Sequence, residues 1–151
     1  MKLKLALFLA LCCALPLAAQ DIGDFTYIDD LTSRKTATQG DAVRMFVIAL
    51  GKNPGAFNAN LQALEKEKIS TGLKLAENAP LRRGDAALMA ARYLKLGDSL
   101  MYAVFKGRRY AVIACVANEI MDFAGGEWDV LSGGELVELI GRVSEKAGGA
   151  K

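Results

Sequence analysis

The chain has 151 residues, of which 19 are basic, 17 acidic and none histidine. Without histidine the commonest general base and the commonest metal ligand are both missing, and no Cys/His metal spacing, phosphate-cradling glycine loop or nucleophile elbow is present, so a non-enzyme without cofactor or metal is expected. A near-neutral balance also lacks the basic surplus that draws a protein to nucleic acid.

Met1-Lys2-Leu3-Lys4 leads into an apolar run from Leu5 to Leu15, a break at Pro16, and Leu17-Ala18-Ala19-Gln20. A short basic start, an apolar stretch too short to span a bilayer and small residues before a cleavage point together read as a secretory signal over residues 1–19. The expected product is periplasmic or extracellular, with no membrane span. Lipidation at Cys12 or Cys13 is the alternative, but Leu11 stands where lipoprotein signals carry a small residue. Losing residues 1–19 leaves 17 basic against 17 acidic side chains, with Cys115 as the one cysteine. No intramolecular disulfide is then available, and stability has to come from an apolar core.

Residues 20–37 are mixed and polar, with Asp29-Asp30 and Arg34-Lys35 and no clear period, and read as an N-terminal arm that either packs as a short segment or lies free. Asp41 to Leu50 is apolar on nearly every side, as expected of a helix at the centre of a bundle, and Gly51 through Gly55 ends it. Phe57 to Lys68 carries Phe57, Leu61 and Leu64 on one face, so a peripheral amphipathic helix is expected, followed by a loop over 70–80. Asp85 to Leu96 repeats the central pattern. A short helix over Ser99–Phe105, a longer one over Arg109–Met121 and a last one over Glu135–Lys146 complete the series. In the last helix Leu136, Val137, Leu139, Ile140 and Val143 face inward and Glu138–Arg142 forms an outward pair. Alternating runs of branched residues are absent, so the fold class is all-α. The helical domain is expected over 38–147, with a tail over 148–151.

The helix starts repeat. Thr38-Gln39-Gly40-Asp41, Arg82-Arg83-Gly84-Asp85 and Ser132-Gly133-Gly134-Glu135 each open an apolar helix, with their acids 44 and 50 positions apart. Thr38 with Asp41 and Ser132 with Glu135 have capping-box spacing, which Arg82 breaks in the middle copy. Leu61, Leu64 and Ile69 in the first interval align with Val112, Cys115 and Ile120 in the second.

On these residues the chain resembles the S-layer homology family, whose repeats each carry a Thr-Arg-Ala-Glu-like helix start and a peripheral helix ending in Gly-Ile; Lys68-Ile69-Ser70-Thr71-Gly72 is similar to that ending. The resemblance implies a helical bundle of about three helix-loop-helix repeats. It also implies that the arginine of the motif helps bind anionic cell-wall polysaccharide. Arg83 alone occupies that place, with Gln39 and Gly133 in the other copies, and the family's Asp-Val element before each peripheral helix is not evident. Carried over, the ligand-binding residues are Arg82 and Arg83 at the start of the Asp85 helix, where unpaired amides and the helix dipole also favour an anion. The opposing expectation is that both arginines are solvated or pair with Asp85 or Glu77.

Trp128 either stacks on a sugar or, as the stronger expectation, lids the core between repeats. Lys106, Arg108 and Arg109 read as a solvated basic face, Cys115 as a small core hydrophobe, and Met45, Met89 and Met101 as core filler. Asp41, Asp85 and Glu135 read as helix-start acids rather than catalytic carboxylates. The expected function is an exported, non-catalytic envelope module that binds glycan; the alternative is a scaffold for another envelope protein that has lost the glycan site.

Overall fold

The structure, a computed structural model, describes residues 22–97 and 106–149. Among the described residues six helices follow in order: α1 (Ile22–Ser33), α2 (Gln39–Ala49), α3 (Phe57–Lys66), α4 (Arg83–Tyr93), α5 (Arg108–Ala117) and α6 (Gly133–Gly149). Among the described residues there is no strand, only the isolated bridges Thr38 to Pro80 and Arg82 to Val130. The protein is all-helical there, as the sequence pattern predicts. The expected helix over 99–105 and the expected signal over 1–19 lie outside the described residues.

Local chemistry sets most of the boundaries. Thr38 caps α2 with its hydroxyl on the Asp41 amide at 3.1 Å, while the Asp41 carboxylate accepts from the Thr38 amide at 2.8 Å. Ser132 and Glu135 repeat the box at α6, at 3.2 and 2.7 Å. Arg82, at the start of α4, provides no side-chain cap. At the other ends, α2, α3, α4 and α5 close in the same way. A residue of positive φ (Gly51, Lys68, Lys95, Glu119) is followed by an amide that reaches back five positions, as in Ile69 to Leu64 at 2.9 Å and Ile120 to Cys115 at 2.8 Å. This closure satisfies carbonyls that would otherwise lack partners. It also matches the sequence alignment of Leu64 and Ile69 with Cys115 and Ile120.

The buried faces follow from composition. α4 is buried from Arg83 through Ala91, which its small side chains permit, and α2 buries Ala42, Val43, Met45, Phe46 and Val47. α3 is peripheral, with only Asn60 and Leu64 fully covered, and the Asn60 amide pins the preceding turn by donating to the Gly55 carbonyl at 2.9 Å and accepting its amide at 2.7 Å. α6 buries Leu136, Leu139, Ile140 and Val143, with Val137 half-buried, and the Glu138–Arg142 pair forms on its outer side.

α1 is the element that the polar, aperiodic segment 20–37 does not reveal. It packs on α6 as α3 packs on α2 and α5 on α4, while α6 also touches α2 and α4. Leu31 is its buried anchor, with Tyr27 and Ile28 against the core. The three helix starts meet in a closed ring of main-chain bonds: the Ala37 amide donates to the Leu131 carbonyl at 2.8 Å, Leu131 to Leu81 at 3.0 Å, and Leu81 back to Ala37 at 2.8 Å. All three residues are buried, so these groups would be costly to leave unpaired.

Candidate functional site

The ring brings the three motif segments side by side, but their chemistry differs. At the first start the buried Asp41 carboxylate accepts from the Thr38 amide and hydroxyl, from Tyr27 Oη at 2.6 Å and from Arg34 Nη1 at 3.1 Å. Burial alone would raise its pKa. The hydrogen bonds from Tyr27 and Thr38 and the charge of Arg34 outweigh that and hold it below the ordinary carboxylate value. Tyr27 is pushed upward in return, by burial first and then by donating to Asp41. The Arg44 guanidinium lies 4.1 Å from the Tyr27 ring centre. Gln39, in the place of the motif arginine, accepts the Ala76 amide at 2.8 Å.

At the third start Glu135 is exposed and engaged with Ser132. Gly133 holds the motif-arginine place because no side chain fits: an added Cβ would lie 1.8 Å from the Leu31 carbonyl oxygen at the end of α1.

The middle start separates the residues that the sequence places together. Arg83 is 6% exposed, and its Nη2 donates to the Asp122 carbonyl across the molecule, as Gln39 ties the first start to its own following loop. Its Nε has no hydrogen-bond partner among the described residues, and beside it lies a cavity of about 30 Å³ bordered by Glu138 and Arg142. Asp85 is paired with Arg108 rather than with Arg82 or Arg83. Glu77 instead has its carbonyl against Gly40, whose amide donates to it at 3.0 Å.

Arg82 points the other way, into solvent, with its guanidinium 5.0 Å from the centre of the Trp128 ring. Trp128 is 61% exposed and does not close the core. A tight turn holds it out: the Gly126 amide donates to the Asp129 carboxylate at 2.7 Å, and Gly125 takes φ +98°, a conformation that favours glycine. Between this turn and the first helix start opens a cleft of about 390 Å³ bordered by Gln39, Lys74, Arg82, Asp85, Arg108 and Trp128. Its rim thus combines an indole face, three cations and one carboxylate already engaged by Arg108. Sequence reading named Arg82, Asp85 and Trp128 but missed Lys74, and it took Arg108 for solvated surface.

Among the described residues no group of His, Cys, Asp or Glu is arranged to hold a metal ion, and no helix is long and apolar enough to cross a membrane. Cys115 is buried, its Sγ 3.4 Å from the Ala87 carbonyl oxygen, and burial pushes the thiol up to about 12. Comparison of the chain with models of protein families, with curated proteins and with solved structures yields no match.

Proposed function

We propose that the protein is an exported, non-catalytic envelope module that holds an anionic cell-wall glycan in the cleft between Arg82 and Trp128. The observation that carries this reading is the exposed indole with a guanidinium alongside it, on a rim that also presents Lys74 and Arg108. An aromatic face is a rigid apolar platform for a sugar ring, and neighbouring cations suit its carboxylate or phosphate substituents. The bundle is read as a degenerate three-repeat relative of the S-layer homology fold. The closed main-chain ring at the three helix starts and the matching ends of α3 and α5 support that reading. Export rests on the Lys2-to-Ala19 pattern and places the module in the periplasm or outside the cell.

The glycan role moves from Arg83, which is buried, to Arg82. A charge-assisted contact contributes roughly 1.5–3 kcal/mol, so Arg82→Ala and Trp128→Ala should each weaken co-sedimentation with purified sacculi on the order of tenfold. Lys66→Ala, exposed on α3 and outside the cleft, should leave it unchanged. Wild-type protein that stays in the supernatant at low salt, or sedimentation indifferent to both substitutions, would defeat the glycan reading. The protein-scaffold reading would then gain from Phe123, 91% exposed in the same loop as Trp128, which makes an apolar surface suited to a protein partner.

A further inference from the structure

A second cleft lies at the opposite end of α4 from Arg82, and the charged groups that line it among the described residues are all cationic. It encloses about 530 Å³ between Lys68 and Thr71 on one side, Arg92, Lys95 and Leu96 on another, and Lys106. None of the described residues lining it is a carboxylate. Glu67, which feels the charge of Lys95, is held by Lys52 at 2.9 Å. Arg92 forms part of the wall, fixed by Nη1 donating to the carbonyls of Ile69 at 3.0 Å and Thr71 at 2.8 Å.

Three of these four cations occupy backbone positions that disfavour lysine. Lys68, Lys95 and Lys106 have φ of 61°, 52° and 45°, the left-handed region that glycine adopts without strain. Helix electrostatics accounts for a cation after α3 and after α4, because Lys68 and Lys95 complement the C-terminal dipole there. It does not account for Lys106, which precedes the first residue of α5 by two positions, at the positive end, with Arg108 and Arg109 next in the chain. The Ile69 and Thr71 carbonyls account for Arg92 as the helix ends account for Lys68 and Lys95, which leaves Lys106 as the cation without a structural reason, placed where the mutual repulsion of four like charges opposes folding.

We propose that this cleft binds a phosphate-bearing ligand whose anionic oxygens are shared among Lys68, Arg92, Lys95 and Lys106. A single carboxylate offers too little charge for four cations. A polyphosphate or phosphate ester presents oxygens in several directions, which suits lysine's point charge and flexible stem. The site is separate from the Arg82–Trp128 cleft and does not depend on the glycan reading.

The test is calorimetric titration of the full chain with pyrophosphate at low salt. Wild type should bind; Lys95→Gly and Lys106→Gly should each bind about tenfold more weakly while melting no lower than wild type, because glycine relieves the left-handed backbone. Arg82→Ala should bind pyrophosphate like wild type even if it loses sacculi. Co-sedimentation with phosphatidylglycerol vesicles but not with phosphatidylcholine, lost in the same lysine variants, would place the phosphate on a lipid headgroup; pyrophosphate binding without vesicle binding would place it on a soluble ligand. Absence of pyrophosphate binding, or weakening by Arg82→Ala equal to that by Lys95→Gly, would overturn the proposal.

Discussion

Gly133→Ala and Gly141→Ala add the same methyl group to the same helix, and their effects should have opposite signs. At Gly133 the new Cβ would lie 1.8 Å from the Leu31 carbonyl oxygen and 2.8 Å from its carbon, both main-chain atoms that cannot rotate aside. Ordinary contact begins near 3.4 Å, so the end of α1 must retreat from α6 by about 1.5 Å. That retreat stretches the bond from the Gly133 amide to the Arg34 carbonyl, now 3.0 Å, and the neighbouring bond from Ala37 to Leu131, now 2.8 Å. It also loosens the packing of Leu31, which is fully buried. Overpacking of this kind costs about 1–3 kcal/mol and a lost buried hydrogen bond about 1 kcal/mol, together roughly 2–4 kcal/mol of a total near 5–15. Gly141, by contrast, is exposed within α6 with no atom within 4 Å of an added Cβ, so alanine there should stabilise by about 0.5–1 kcal/mol. In thermal melts followed by circular dichroism, Gly133→Ala should fall by roughly 6–15 °C and Gly141→Ala should rise by about 2–4 °C. Hydrogen exchange should show the extra opening of Gly133→Ala concentrated in α1. A Gly133→Ala variant that melts with wild type would refute the seating of α1 on α6.

Leu88 is 5% exposed on α4, so Leu88→Asp buries a carboxylate without a partner and should cost several kcal/mol, whereas Lys66→Ala on the outer side of α3 should change the melting temperature little. Asp41 has a lowered pKa, so its stabilisation is complete above the ordinary carboxylate value of 3.8 and is lost as pH falls through the folded value. Tyr27 is raised, so its contribution is complete below 10.0 and lost as pH rises beyond it; urea midpoints across pH should therefore decline on both sides, with Asp41→Asn flattening the acid limb and Tyr27→Phe the alkaline one. Cys115, buried with its thiol raised to about 12, should resist a disulfide reagent such as DTNB in the native state and react only at the rate of unfolding.

What the sequence by itself determined is the set of features built from neighbours a turn apart. Thr38 with Asp41 and Ser132 with Glu135 lie three positions apart, so their capping boxes depend on local backbone alone, and the apolar character of residues 41–50 and 85–94 marks buried helices wherever they are finally packed. The likeness of the ends of α3 and α5 was legible for the same reason, although the helices stop at Lys66 and Ala117, short of the Lys68 and Met121 expected of them. α1 was not, because Leu31, Tyr27 and Ile28 are too few among polar residues to show a period, and its helix is supported by α6, whose residues lie about a hundred positions further along the chain. Gly133 read as a missing arginine, whereas the tertiary structure makes it the seat of the Leu31 carbonyl. Arg82 and Arg83 read as one basic pair, but Arg82 is in extended backbone and Arg83 begins the helix, so their side chains diverge, one to Trp128 in solvent and the other to the Asp122 carbonyl inside. Capping and periodicity follow from geometry over a few residues; which side chain faces a cleft follows from surfaces brought together across 23 positions for Arg108 and Asp85 and 39 for Arg83 and the Asp122 carbonyl, beside the ring of Ala37, Leu81 and Leu131.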